Sequence, residues 1–207
     1  LALAKANFSK VIVLINSGNA MEVSELDEYA NAVLWIGQPG RYGFSGVPSL
    51  LRGEANPSGH TVDTYATSSL SSPAIENWGD FTFTSDAGNN KYFVYQEGIY
   101  CGYRYYETRY EDTILGNGNA NAVAGSSTGN AWNYADEVSY PFGYGMSYTT
   151  FEQELKDVTV NVGGSSSATV NVTNTGNVAG KEVVELYVQA PYTAGGLEKA
   201  AVNLIGS

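Results

Sequence analysis

An aromatic stretch at residues 92–108 restricts the folds open to this chain more than any other feature of its sequence. From Lys91 it reads KYFVYQEGIYCGYRYYET, with six tyrosines among aromatic and β-branched residues. This composition is typical of a strand that is buried along most of its length and solvent-exposed at its edges, since tyrosine combines a large apolar ring with a hydroxyl. We therefore predict a central strand that places Tyr95, Ile99 and Tyr103 in the core and uses Cys101 as a small packing residue.

Two charged side chains inside this stretch, Glu97 and Arg104, allow two interpretations. Held in a rigid aromatic frame, either side chain could face a substrate cleft. A buried glutamate beside an arginine is more often a structural ion pair, because each charge then offsets the desolvation of the other. The simpler expectation is therefore a Glu97–Arg104 pair within an aromatic sheet core.

Two short apolar runs near the start predict parallel strands. Residues 11–15 read VIVLI, residues 32–36 read AVLWI, and the acidic segment between them predicts a short amphipathic helix. Continuous apolar runs are typical of strands covered on both faces, so we expect Trp35 in the core. Strand, helix and strand in this order predict an α/β class with a mainly parallel sheet. The polar turn at residues 16–19 follows the first strand, at the edge where ligands collect in such sheets.

The pattern changes after residue 150. Apolar and polar residues alternate at 155–162 and at 168–172, and another apolar run follows at 183–188. Short strands between polar turns predict an antiparallel β-sandwich. We expect this second domain, 151–207, to be incomplete, since an immunoglobulin-like sandwich needs roughly 100 residues.

Four shorter segments of the sequence also predict local structure. Residues 1–6 and 47–52 predict short helices, and the low-complexity residues 116–130 predict an exposed loop. Residues 140–148, YPFGYGMSY, combine four aromatic rings with a proline and two glycines. We expect this segment to be a rigid junction that docks the first part, 1–150, against the second.

Charge and composition exclude several classes of partner. A net charge of −11 with only 10 Lys and Arg argues against binding to nucleic acid or to an anionic membrane surface. No apolar run approaches the roughly 18 to 20 residues of a membrane-spanning helix. One cysteine and one histidine rule out an internal disulfide and a Cys or His metal cluster. We expect neither a metal nor another cofactor.

Four motifs in register resemble one enzyme family. They are VIVLINSG at 11–18, GQPG through NPSG at 37–59, YQEGIYCGYRYYET at 95–108 and YPFGYGMSYTTF at 140–151. In this order they resemble the carboxyl-terminal part of family 3 glycoside hydrolases, the β-glucosidase and β-xylosidase group. The resemblance covers nearly the whole chain. It implies the later part of an α/β sandwich domain, 1–150, followed by the start of a fibronectin type III-like domain, 151–207.

The resemblance also implies the reaction. The family hydrolyses terminal β-linked glucose or xylose by a retaining mechanism, with a nucleophilic aspartate on a (β/α)₈ barrel and an acid/base glutamate upstream of the strand matched by residues 11–15. Both carboxylates are therefore expected outside these 207 residues. Residues 41–44 and 60–65 depart from the common pattern, and the latter resemble a subgroup in which the barrel follows, so the barrel could lie on either side.

No residue of the chain is assigned as catalytic, cofactor-binding or metal-binding. Glu97, Arg104, His60 and Trp78 stay open as residues that could line a sugar site, while Glu22 and Glu25 are expected to be solvated helix residues. The alternative function is a non-catalytic carbohydrate-binding or adhesion module. If the chain belongs to a β-glycosidase, its expected partners are a β-linked oligosaccharide and the barrel domain, and a homo-oligomer is possible. We expect such a protein to be secreted by a bacterium or associated with its cell.

Overall fold

The computed structural model describes residues 1–79, 81–82, 90–95, 97–116, 126–193 and 195–207, except for the side chains of residues 76 and 77. The α-helices are α1 (Ala2–Asn7), α2 (Leu26–Tyr29), α3 (Gly40–Gly43), α4 (Val47–Leu51), α5 (Tyr103–Thr113) and α6 (Tyr134–Glu137). Short 3₁₀ helices cover Phe44–Gly46, Ser69–Ser71 and Pro73–Asn77. The strands are β1 (Ile12–Ile15), β2 (Ala32–Trp35), β3 (Tyr65–Ala66), β4 (Val138–Tyr140), β5 (Phe151–Thr159), β6 (Ser167–Asn174), β7 (Leu186–Val188) and β8 (Asn203–Gly206).

The two apolar runs near the start pair in parallel. β1 and β2 align from Ile12 opposite Ala32 to Ile15 opposite Trp35, with α2 in the connection between them. The α/β class with a parallel sheet is therefore confirmed. The expectation that both faces are covered is wrong for β1, because Ile12 and Leu14 are exposed while Val13 and Ile15 are half-buried. The helix between the strands is one turn, shorter than the acidic segment predicted.

The aromatic stretch is not a strand. Lys91 forms an isolated antiparallel bridge with Thr82, the described residues that follow are irregular, and α5 begins at Tyr103 after Gly102, whose φ is +56°. Tyr95 is 87% exposed and Ile99 is also exposed, so their core placement is wrong, while Tyr103 is half-buried at the start of α5. Cys101 is exposed, so the prediction of a packing residue is wrong as well.

The physical reason lies in the spacing of the tyrosines. Tyr103, Tyr106 and Tyr110 recur at intervals of three and four residues, which places them along one face of a helix. Aromatic residues favour a strand only where they pack on a pleated, half-buried surface. They adopt a helix where the helix buries more of their apolar area. The positive φ of Gly102 ends the extended segment in front of α5.

The hydrophobic core nevertheless includes three tyrosines of this stretch. Tyr105 is 1% exposed and packs with Tyr100, Tyr106, Trp132 and Val138 in one cluster. The rings of Tyr105 and Tyr106 meet edge to face, with centroids 5.0 Å apart. The aromatic stretch therefore organises the fold as predicted, but through a buried helix.

The remaining strands are antiparallel. β3 pairs with β4, β5 with β6 over Phe151 to Thr159, and β7 with β8. On β5 and β6 the alternation of apolar and polar residues produces regular pairing with one irregularity between Leu155 and Asp157. The antiparallel strands predicted after residue 150 are thus observed.

The segment at residues 140–148 is bonded to the turn that follows residue 59. The Thr61 amide donates to the Tyr144 carbonyl oxygen at 2.8 Å, and the Gly143 amide donates to the Thr61 carbonyl oxygen at the same distance. A Cβ added at Gly145 would lie 2.6 Å from the Gly59 carbonyl oxygen, so the two backbones are in close contact. These contacts hold residues 143–145 against residues 59–61.

Asn56 ties the end of this segment to a second region. Its Oδ1 accepts hydrogen bonds from the Ser147 hydroxyl at 2.9 Å and from the Tyr148 amide at 2.7 Å. Its amide nitrogen donates to the Ala179 carbonyl oxygen at 3.1 Å. One side chain thus links the NPSG turn, the junction and the loop after β6.

Limited proteolysis tests this linkage. With a broad-specificity protease we expect first cleavage within the low-complexity residues 116–130 or after the exposed hairpin residue Gly163, while residues 140–148 stay protected. Asn56→Ala should speed cleavage near Tyr148, because three hydrogen bonds are lost. Early cleavage at Tyr144 of the unaltered chain would show that the segment is a flexible tether.

Candidate functional site

A cleft of about 150 Å³ lies where the parallel strands end. β1 runs into the turn that carries Gly18 and Asn19, and β2 ends at Trp35, so both strands bring their carboxyl ends to this cleft. This is the edge at which ligands collect in open α/β sheets, as predicted for residues 16–19. The lining residues are Gly18, Asn19, Ala20, Trp35, Val62, Asp63 and Tyr65.

Trp35 forms one wall of the cleft and is held in place. Its indole N–H donates to the Ser17 carbonyl oxygen at 2.9 Å, and its ring meets that of Tyr65 edge to face at a centroid distance of 6.4 Å. The side chain is still 37% exposed. The expectation that Trp35 lies in the core is therefore wrong, because β2 ends at this residue and the ring extends over the sheet edge.

Asp63 is the charged group of the cleft. Its Oδ1 accepts a hydrogen bond from the Thr64 amide at 2.8 Å, and the side chain is otherwise exposed. Tyr65 beside it is buried. Burial raises the pKa of the Tyr65 hydroxyl, and the negative charge of Asp63 raises it further, so Tyr65 is neutral over the whole physiological range.

Glu97 and Arg104 do not form the predicted ion pair. The Arg104 Nε–H donates to Asn203 Oδ1 at 3.0 Å, and the guanidinium lies 5.5 Å from the centre of the Tyr103 ring. The Glu97 carbonyl oxygen accepts the Tyr100 amide at the turn before α5. Arg104 lies in the first turn of α5, and its side chain is directed to Asn203 instead of to Glu97.

Arg104 belongs instead to a second, wider groove of about 390 Å³ between the start of α5 and the β7–β8 region. Lys199 also lines this groove, and its ammonium group donates to the Pro191 carbonyl oxygen at 2.8 Å. Both cations thus bond to neutral acceptors. Neither Glu97 nor Arg104 lines the cleft at Trp35.

The other candidate residues also lie outside the cleft. His60 is half-buried against Gly145 in the junction, and Trp78 is 71% exposed. Glu22 lies before α2, where its carboxylate accepts the Ser69 amide at 2.5 Å, and this hydrogen bond lowers the pKa of Glu22. Glu25 precedes the first residue of α2. The expectation of helix residues is therefore wrong for both glutamates, because the helix begins only at Leu26.

Two glutamates, the half-buried Glu107 and the fully buried Glu137, form hydrogen bonds around α5 and α6. Tyr134 donates its hydroxyl to Glu107 at 2.6 Å, and burial raises the pKa of Glu107 despite this hydrogen bond. Glu137 is fully buried and accepts hydrogen bonds from the Ser126 hydroxyl and from both the amide and hydroxyl of Ser127. These carboxylates therefore stabilise the fold around α5 and α6.

Across the described ranges, no group of three His, Cys, Asp or Glu side chains is placed to hold a metal ion. In the same part of the chain, no helix combines the length and apolar character required to span a membrane.

The sequence predicted that the turn at residues 16–19 lies at a ligand-binding edge, but it did not predict that Asp63 and Tyr65 line the same cleft. These two residues follow the turn at 56–59, and only the pairing of β3 with β4 brings them beside Trp35. The available signal was the strand-favouring composition of TVDTY at 61–65, with two threonines, a valine and a tyrosine.

The described structure is thus an α/β protein with following antiparallel strands and a polar cleft at the carboxyl edge of its parallel pair. Residues 1–103 match the glycosyl hydrolase family 3 C-terminal domain. Beta-glucosidase A of Butyrivibrio fibrisolvens is 34% identical over 205 aligned residues, which cover 91% of this chain and 21% of that protein. The chain belongs to glycoside hydrolase family 3, and the resemblance of its four motifs is confirmed.

Solved structures agree with this assignment. A β-glucosidase from Paenibacillus barengoltzii superposes with a TM-score of 0.73 at 31% identity, over 97% of this chain and 19% of that one. Beta-glucosidase 3B from Thermotoga neapolitana, solved in complex with α-D-glucose, gives 0.70 at 32% identity, over 94% of this chain and 23% of that one. The chain therefore spans about a fifth of the length of the relatives it matches.

Proposed function

We propose that this chain is part of a retaining β-glycosidase that removes terminal β-linked glucose or xylose from oligosaccharides. The observation that carries the proposal is the match to β-glucosidases along more than nine tenths of the chain. The cleft supports it, because it offers an aromatic wall, a carboxylate and an amide at the ligand-binding edge of an α/β sheet.

The reaction needs two carboxyl groups roughly 5 to 5.5 Å apart, one to attack the anomeric carbon and one to protonate the leaving oxygen. Both are supplied from outside these 207 residues, the nucleophile from a (β/α)₈ barrel. The α/β part, residues 1–150, contributes one wall of the sugar site. Residues 151–207 begin a fibronectin type III-like domain that packs beside it.

Activity of the chain on its own tests the proposal. We expect the 207-residue chain to give no turnover of nitrophenyl β-glucoside or β-xyloside above a buffer blank, while the full reading frame that contains it hydrolyses at least one of them. Turnover by the isolated chain that Glu97→Gln abolishes would place a catalytic carboxylate within it. A full-length protein inactive on both substrates would refute the assigned reaction.

A further inference from the structure

We propose that the wider groove, between the start of α5 and the β7–β8 region, binds a small organic monocarboxylate through Arg104 and Lys199. The carboxylate of the ligand pairs with these two cations, and its apolar part lies on the aliphatic side of the groove. The groove shares no lining residue with the cleft at Trp35. This inference therefore does not depend on the proposed hydrolysis.

The two cations of the groove are half-buried, and neither forms an ion pair with a carboxylate of the described residues. The Arg104 Nε–H donates to Asn203 Oδ1 at 3.0 Å, and the Lys199 ammonium group donates to the Pro191 carbonyl oxygen at 2.8 Å. Removing part of a charge from water costs free energy, and a neutral acceptor offsets less of that cost than an opposite charge does. A bound carboxylate supplies the missing negative charge.

The side chains at this end of the groove offer hydrogen-bond donors. Arg104 uses only Nε in its bond to Asn203, so both of its Nη atoms keep N–H groups without a partner in the described part of the chain. The Lys199 ammonium group and the Asn203 side-chain amide also keep such N–H groups. A ligand must therefore supply acceptors. A carboxylate accepts from both Nη atoms at once, in the bidentate geometry that arginine forms with carboxylates.

The amino end of α5 adds positive potential at the groove. Its N-cap residue, Gly102, makes no side-chain cap, and no acidic residue lies in the first turn. The amide N–H groups at the start of a helix carry a partial positive charge. Cys101 and Arg104 flank Gly102 and both line the groove. The helix therefore favours a negative charge in the same place as the two side-chain cations.

Two glutamates near the groove limit the charge of the ligand. Glu97 and Glu198 are sequence neighbours of lining residues, but neither of them lines the groove. Burial and the negative charge of Glu198 raise the pKa of the Tyr100 hydroxyl to about 12, so this carboxylate acts on Tyr100. In a chain of net charge −11, a doubly charged phosphate meets more repulsion than a singly charged carboxylate.

The rest of the lining favours an organic anion over an inorganic one. Ile99, Ala190 and Ala200 present aliphatic carbon to the groove. The volume of the groove is about 390 Å³, and a cavity of roughly 150 Å³ already holds one benzene molecule. The groove thus has room for a carboxylate together with an attached apolar ring, which buries the aliphatic side on binding.

Benzoate tests the inference, and the reactivity of Cys101 reports its binding. Cys101 is the only cysteine of the chain, is exposed and lines the groove. The rate at which N-ethylmaleimide alkylates the 207-residue chain is measured against benzoate concentration at constant pH and ionic strength. Isothermal titration calorimetry gives the dissociation constant in parallel. We expect benzoate to slow alkylation in a saturable manner, because the bound ligand covers the thiol.

Two other ligands test which part of benzoate is recognised. Benzamide has the same ring without the charge and is expected to give no saturable decrease in the alkylation rate. Inorganic phosphate lacks the ring and is expected to bind more weakly than benzoate at the same ionic strength.

Variants then locate the binding site. Lys199→Gln should raise the dissociation constant of benzoate roughly tenfold, because a hydrogen bond to a charged group is lost. Arg104→Lys keeps the charge but not the paired Nη groups, so it should also weaken binding. Lys181→Gln makes the same change of net charge at an exposed lysine outside the groove and should leave the dissociation constant unchanged. Circular dichroism shows whether each variant is folded.

The inference is overturned if benzoate gives neither a heat of binding nor a saturable change in the alkylation rate. Benzamide binding as tightly as benzoate would show that the groove recognises only the ring, and phosphate binding as tightly would show that it recognises only the charge. Equal dissociation constants for the unaltered chain and for folded Lys199→Gln and Arg104→Lys would place benzoate outside the groove. Each of these results contradicts the proposed carboxylate site and leaves the proposed hydrolysis untouched.

Discussion

Tyr105→Ala is expected to lower the free energy of unfolding by about 3 to 5 kcal/mol, the range for deleting a large aromatic side chain from a core. Tyr105 is 1% exposed and lies at the centre of the aromatic cluster on α5. Removing its ring leaves a cavity between Tyr106, Trp132 and Val138, because these neighbours are fixed by helix and strand backbones. Urea denaturation followed by circular dichroism measures the change.

Tyr95→Ala is the matched control, since it removes the same side chain from the same aromatic stretch. Tyr95 is 87% exposed, so its removal should change the free energy of unfolding by no more than about 0.5 kcal/mol, as for other surface substitutions. Equal effects of the two substitutions would contradict the burial described for α5. A larger effect of Tyr95→Ala would restore the central strand that the sequence predicts.

Glu137→Ala is expected to lower the free energy of unfolding by about 1 to 3 kcal/mol, because three donors on the half-buried Ser126 and Ser127 lose their acceptor. The carboxylate of Glu137 is fully buried and accepts three hydrogen bonds from Ser126 and Ser127. Its loss also releases the chain at 126–127 from α6. The same urea experiment measures this change.

Two further variants show whether the hydrogen bonds of Glu137 are responsible. Glu137→Gln keeps one carbonyl oxygen for the Ser126 hydroxyl and the Ser127 amide, and the Ser127 hydroxyl can rotate to accept from the new NH₂ group, so this variant should be milder than Glu137→Ala. Glu152→Ala removes an exposed glutamate on β5 and should have little effect. A harmless Glu137→Ala would mean that water replaces the carboxylate without loss.

The strongest candidates from the sequence lie outside the cleft at Trp35. Glu97 and Arg104 are two of the three charged residues in the aromatic stretch at 92–108. In the structure Arg104 bonds to Asn203 near the end of the chain, which is a structural contact. The residues that line the cleft, Asn19 and Asp63 among them, lie in loops, and the fold brings them beside Trp35.

The sequence by itself determined the elements whose signals are local. The apolar runs at 11–15 and 32–36 became β1 and β2, and the predicted helices at 1–6 and 47–52 became α1 (Ala2–Asn7) and α4 (Val47–Leu51). In these segments, periodicity and turn residues act over a few positions along the chain. The family also followed from sequence, because its four motifs keep their order and spacing.

Only the tertiary structure decided the state of residues 92–108 and the position of the cleft. Tyrosine-rich sequence suits either a strand or a buried helix, and the contacts of Tyr105 and Tyr106 with Trp132 and Val138 select the helix. Trp35 lies at the cleft because β2 ends there and because Asp63 and Tyr65 reach it through the pairing of β3 with β4. Such contacts join residues far apart in sequence, so their energies cannot be read from neighbouring residues along the chain.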